Sequence, residues 1–172
     1  MPWFDAISLI VALYLLYFTI GALVKFKKPF AFRITNSFLL LLSIYFILYT
    51  TLLSRSPNEY PTVLMPFYSF FVAKSQPEMW RQMYMNVVLF MPFGMFLANV
   101  FGEKVKKSII MTIVTSSGFL MSLLIEATQH FCRLGEAWTD DVICNAFGAF
   151  CGATVVFAIE RFTNKHIKRT NI

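Results

Sequence analysis

The stretch SIIMTIVTSSGFLMSLLIEATQHFCR, Ser108 to Arg133, carries no charged side chain from Ser108 to Ile125 and then ends in a run of polar residues. Crossing the ~30 Å hydrocarbon core of a bilayer takes roughly 20 apolar residues in a helix, because only a helix or a closed barrel satisfies its own backbone hydrogen bonds. The stretch has that length and lacks the alternation of a barrel strand, so Ser108–Phe131 is expected to be a membrane-spanning helix. Working outward, Trp3–Val24, Ser37–Leu53 and Met85–Phe101 precede it and Val142–Glu160 follows it, all similarly apolar. The fold class expected is therefore all-α, a polytopic membrane bundle of about five helices forming one domain over residues 1–172, with a basic tail at 161–172. Composition agrees: 58% hydrophobic and 14% charged residues exceed the apolar content that a small water-soluble domain buries.

Fifteen Lys and Arg against nine Asp and Glu give a net charge of +6. The basic residues do not form one stripe, as a nucleic-acid surface would require, but cluster between apolar runs. Nucleic acid is thereby excluded as a partner, and the clusters instead set orientation, since basic connections stay on the cytoplasmic side. Lys25, Lys27, Lys28 and Arg33 follow the first span, Lys104, Lys106 and Lys107 the third, and Arg161, Lys165, Lys168 and Arg169 the fifth. The connections Ser54–Tyr84 and Cys132–Asp141 are mixed in charge. Basic and mixed connections alternate, which gives an expected topology with the amino terminus outside and the carboxyl terminus inside. The opening Met1-Pro2-Trp3-Phe4-Asp5 lacks the basic region of a signal peptide, so the first apolar run is expected to be retained as a span. Cys132, Cys144 and Cys151 are odd in number and lack paired spacing, which argues against a disulfide framework. The long Ser54–Tyr84 connection contains the apolar, aromatic run Val63–Val72. Two placements fit it: the outer interface, where aromatic rings are favoured, or a loop packed on the bundle.

On the Ser108–Phe131 helix, Ser122, Glu126, Gln129, His130 and Arg133 recur at steps of three and four and share one face near its outer end. Leu123, Leu124, Ala127 and Phe131 form the apolar side. A charged side chain facing lipid costs about 2.5–3.5 kcal/mol at the centre of a span, so Glu126 is expected to face protein, water or a ligand. On the last span Asp141 and Asn145 continue at helical spacing as Gly148 and Gly152, polar groups turned to the bundle above small residues that allow close packing. The expected topology brings Arg55, at the end of the second span, and Asn86, at the start of the third, to the same side. Arg55, Asn86, Glu126, Gln129, Arg133, Asp141 and Asn145 are thus the candidate binding residues, and Glu126 and Asp141 the candidate catalytic ones. Pro92, with Gly94, is expected to kink the third span below Asn86.

Duller roles stand beside these. Glu126 with Arg55 or Arg133 is equally an ion pair fixing helix register, Asn86 and Asn145 interhelical hydrogen-bond donors, and Asp140 a helix cap. His130 and Cys132 beside Glu126 or Asp141 match no tight ligand motif, so neither metal nor cofactor is assigned. Neither His lies in a serine-protease motif, and the paired His of a membrane metalloprotease are absent from the sequence. A phosphate-handling site is chemically open: Arg55 and Arg133 as an anion clamp, Glu126 or Asp141 as base.

Asn86–Gly94 (NVVLFMPFG), Glu126 with Gln129, and Asp140-Asp141 followed by Asn145 and Gly148 together resemble the VanZ-like family of bacterial membrane proteins. Thr51–Arg55 and Met65-Pro66-Phe67 match more weakly, and the resemblance extends over most of Thr51–Gly152. Arg55, Pro66, Asn86, Pro92, Gly94, Glu126, Gln129, Asp141 and Asn145 carry over individually. Trp138 departs from the pattern, standing where members often have an acidic residue, with Glu136 as a possible substitute. The resemblance implies a cell-envelope protein of mainly Gram-positive bacteria that lowers susceptibility to lipoglycopeptides such as teicoplanin. Its implied partners are membrane lipids, with the antibiotic or a lipid-linked wall precursor as ligand. Two other classes fit the residues: an enzyme acting on a polyprenyl or lipid phosphate at the outer leaflet, and a structural module whose polar cluster only joins helices.

Overall fold

A computed structural model describes residues 29–57, 62–101 and 105–170, with side chains described as far as residue 163. Its long helices are α1 (Pro29–Leu48), continued by a π-helical turn at Tyr49–Leu53, α3 (Glu78–Val100), α4 (Lys107–Cys132) and α5 (Thr139–Thr170). A short helix α2 (Tyr68–Val72) and two-residue strands β1 (Thr62–Val63) and β2 (Ala137–Trp138) fill the two mixed-charge connections. Among the described residues four helical segments, Pro29–Leu53, Glu78–Val100, Lys107–Cys132 and Thr139–Thr163, are long and apolar enough to cross a membrane. The all-α bundle is therefore as expected for four of the five spans, while Trp3–Val24 lies outside the described residues.

Helix ends differ from the hydropathy reading where a helix outruns the hydrocarbon. α1 is already helical at Pro29, the first described residue, whereas the hydropathy reading starts the span at Ser37. Arg33, assigned by sequence to a connection, is consequently helical, and its Nε donates to the Val100 carbonyl at 3.3 Å. α3 begins at Glu78 rather than Met85, after Pro77. Its polar first turns are invisible to a search for apolar runs, and the Arg81–Glu78 pair there is too exposed to stabilise it much. α3 remains helical through Pro92. α5 begins at Thr139 and continues past Glu160 into the basic tail.

Small residues bring the central helices together. A methyl group at Gly148 would strike the Val87 carbonyl, one at Gly152 the Met91 carbonyl, and one at Gly94 the Ala149 backbone. α3 and α5 therefore touch backbone to backbone, and this is the most extensive helix contact among the described residues. Around it Phe90, Phe93, Met95, Val114, Ile125, Ala149 and Val156 form the core, with Ile47 arriving from α1. Phe38, Leu41, Leu42 and Phe46 of α1, and Leu120, Leu123, Leu124 and Phe131 of α4, point outward. Such a surface is stable where lipid is the solvent.

Several hydroxyls inside the spans turn back on their own helices. Thr35 bonds to the Ala31 carbonyl, Ser43 to Leu40, Thr51 to Ile47 and Thr154 to Phe150. This satisfies them without water.

Candidate functional site

The π turn at the end of α1 prepares the site. Ser54 N–H reaches back to the Tyr49 carbonyl at 2.9 Å, and Arg55 N–H turns to Leu52 rather than to Thr51. The Thr51 carbonyl is left without its usual helical donor, and Gln129 Nε2 supplies one at 3.0 Å. α1 and α4 are thus joined one step below Arg55.

The α4–α5 connection is organised by α4's own end. Arg133 adopts a left-handed conformation (φ 54°) as the C-cap of α4, with Leu134 N–H on the Gln129 carbonyl at 3.0 Å. The chain then folds back so that Glu126 Oε2 accepts the backbone N–H of Trp138 at 2.9 Å. The Trp138 indole donates to Glu136 Oε2, also at 2.9 Å, and its ring stacks on Tyr68 at 6.2 Å. β1 and β2 pair in parallel, Thr62 with Ala137 and Val63 with Trp138. Asp140 caps a helix, but not its own: its two oxygens accept the N–H groups of Phe67 and Ser69. Those bonds hold Phe67 in the left-handed conformation (φ 62°) that opens α2. The Val63–Val72 run is therefore strapped to the bundle, while Leu64, Met65, Phe67 and Phe71 remain exposed around it. Of its two expected placements, packing on the bundle is the one these contacts show.

Between these parts lies a cleft of about 620 Å³, lined by Ser54, Arg55, Ser56, Gln82, Gly135, Glu136 and Asp141. Volumes of this order suit small ligands or headgroups. The Arg55 guanidinium lies directly on Gly135, where any side chain at 135 would collide with Nη1. From that seat its charge reaches both Asp141 and Glu126, which are also within electrostatic reach of each other. Asn86 turns its amide to Asp141, close enough to favour the carboxylate, although its buried Nδ2 falls short of full hydrogen-bond geometry. Arg55 is in neither of the direct ion pairs, Arg81–Glu78 and Lys107–Glu160, found among the described residues.

Four of the seven candidate binding residues, Arg55, Asn86, Glu126 and Asp141, gather at or beneath this cleft. Gln129 adjoins them as the tie to α1, its Oε1 buried and unpartnered. Asn145 lies deeper, donating from Nδ2 to Ser122 Oγ at 2.8 Å, and acts as interhelical glue. Arg133 is not among the lining residues, so the two arginines do not form one clamp. His130 points its Nδ1 at the Thr62 hydroxyl, 2.9 Å away, and so binds the β1 segment. Gln82, Ser56 and Gly135 were not apparent as candidates from the sequence. Gln82 had a signal, standing four residues before Asn86 on the same helix face. Glu136 lines the cleft, and the Trp138 indole holds it there through its hydrogen bond.

A bundle of long apolar helices with a polar cleft at one end defines a multi-helix membrane protein with a candidate ligand site. The chain belongs to the VanZ/LLP1 family, whose family model matches residues 7–160. No curated protein and no solved structure gives a match.

Proposed function

We propose that this VanZ/LLP1 protein acts in the plasma membrane of a Gram-positive bacterium and lowers susceptibility to lipoglycopeptide antibiotics such as teicoplanin. It does so by binding the drug, its lipid tail or a lipid-linked wall precursor at a cleft facing the outer leaflet. The supporting observation is Arg55, seated on Gly135 and shared between Asp141 and Glu126 at the edge of an open cleft. A purely structural cluster would pair these groups directly and close the space between them. The cleft end carries the mixed connections and the opposite end the basic ones, which favours an outward opening.

Expression in a susceptible Gram-positive host tests this. The minimum inhibitory concentration of teicoplanin is expected to rise with the native chain and to return to the host value with Arg55→Ala or Glu126→Gln, both still inserted at native levels. No rise with the native chain, or a full rise with both variants, refutes the proposal.

A second reading, an enzyme releasing phosphate from a polyprenyl or lipid phosphate, draws on the same arginine beside two carboxylates, one able to act as base. It loses the second arginine of its clamp. Phosphate release by purified protein, abolished by Arg55→Ala, would replace the first reading with this one.

A further inference from the structure

Taking the cleft to be a ligand site, as proposed above, the balance of charge on its walls narrows what it holds. One basic side chain, Arg55, meets two acidic ones, Glu136 and Asp141, on the lining, with Glu126 immediately behind. A phosphate or carboxylate alone would gain Arg55 but face the acidic side chains of Glu136 and Asp141. A simple amine would gain the carboxylates and leave Arg55 displaced.

Hydrogen bonding separates the acids further. Asp140 has both oxygens engaged by Phe67 and Ser69. Glu126 and Glu136 each have one oxygen on Trp138. Asp141, by contrast, has the Asn86 amide and the charge of Arg55 beside it, and the buried Asn86 Nδ2 is not closed onto a partner in hydrogen-bond geometry. A carboxylate at a cleft wall with an unfilled donor position calls for an N–H group from the ligand. Ser56 and Gln82 add neutral donors to the same lining, available to an anion held by Arg55.

We infer that the cleft binds a zwitterionic headgroup, its anionic group on Arg55 and its ammonium on Asp141 and Glu136. A phospholipid headgroup bearing a primary amine has this chemistry, and so does a water-soluble amine-bearing phosphodiester. Aromatic and apolar residues exposed on the adjoining Leu64–Phe71 segment suit a ligand that arrives with acyl chains.

Native mass spectrometry on the purified full chain in detergent provides the test. The probes are phosphatidylethanolamine, its N-acetylated form, which has lost the ammonium, and phosphatidylglycerol. The native chain is expected to prefer phosphatidylethanolamine over both others by about tenfold, the worth of one charge-assisted hydrogen bond. Glu136→Gln, on the connection and outside the helix packing, and Asp141→Asn should each erode that preference, while Arg55→Gln weakens all three lipids. Equal binding of the three lipids by the native chain, or an undiminished preference in both carboxylate variants, overturns the inference.

Chainless glycerophosphoethanolamine then distinguishes the source. Competition at similar concentration identifies a soluble zwitterion, and failure to compete identifies the lipid. The outcomes are also separable from the resistance proposal. Loss of headgroup preference alongside an Arg55-dependent rise in teicoplanin tolerance sinks only this inference, whereas preference without any such rise sinks only that proposal.

Discussion

Two glycines show how differently one residue type is used. At Gly135 an added methyl would meet the far end of the Arg55 side chain, which can swing away. Gly135→Ala is therefore expected to leave thermal stability within about 0.5 kcal/mol of native while removing whatever Arg55 does, as a ligand-binding or susceptibility assay set against a melting curve will show. At Gly148 the same methyl would meet the Val87 backbone carbonyl, which cannot move without parting α3 from α5. Gly148→Ala should cost about 1–3 kcal/mol, read as a lowered unfolding midpoint in detergent. Ser122→Ala falls between these. It strands the buried Asn145 amide, which already has an unpartnered Oδ1, and should destabilise by about 1 kcal/mol with no direct effect at the cleft.

Among the elements, α2 is the one whose place depends on a single side chain. Five residues are too few to hold a helix by propensity, and its aromatic residues are only partly covered. Asp140 supplies the two bonds that start it. Asp140→Ala should make the Phe67 and Ser69 amides exchange with deuterium far faster, by at least about tenfold, while amides in the middle of α4 and α5 keep their protection. Equal acceleration throughout the bundle would mean that Asp140 instead holds the whole fold. The π turn of α1 was not visible to hydropathy for a similar reason. Its consequence, a Thr51 carbonyl offered sideways to Gln129, arises from a partner 78 positions away.

For the whole molecule, the two ends of the bundle have opposite chemistry. Arg33, Lys106 and Lys107 lie at one end, where Lys107 binds Glu160 at 3.0 Å. Arg55, Glu136 and Asp141 lie at the other. In a cysteine-free background, Ser56→Cys should react with an impermeant maleimide on intact cells and Lys106→Cys only after permeabilisation. Labelling of both from the same side would remove the outward-facing cleft and with it the proposed function.

The amino-acid sequence by itself determined the class of fold, the positions of four described spans and the convergence of Arg55, Asn86, Glu126 and Asp141. Burying an ionisable group in hydrocarbon is so costly that helical spacing leaves it few places to go. It also marked Gly148 and Gly152 as contact points, because close helix approach demands small residues. Tertiary structure alone decided that Asn145 is glue, that Arg133 stands apart from Arg55, that Asp140 caps a different helix, and that Gly135 seats the guanidinium. Each of these is a choice between partners distant in the chain that local periodicity leaves equivalent. Packing selects one, since only the assembled backbone fixes which donor reaches which acceptor.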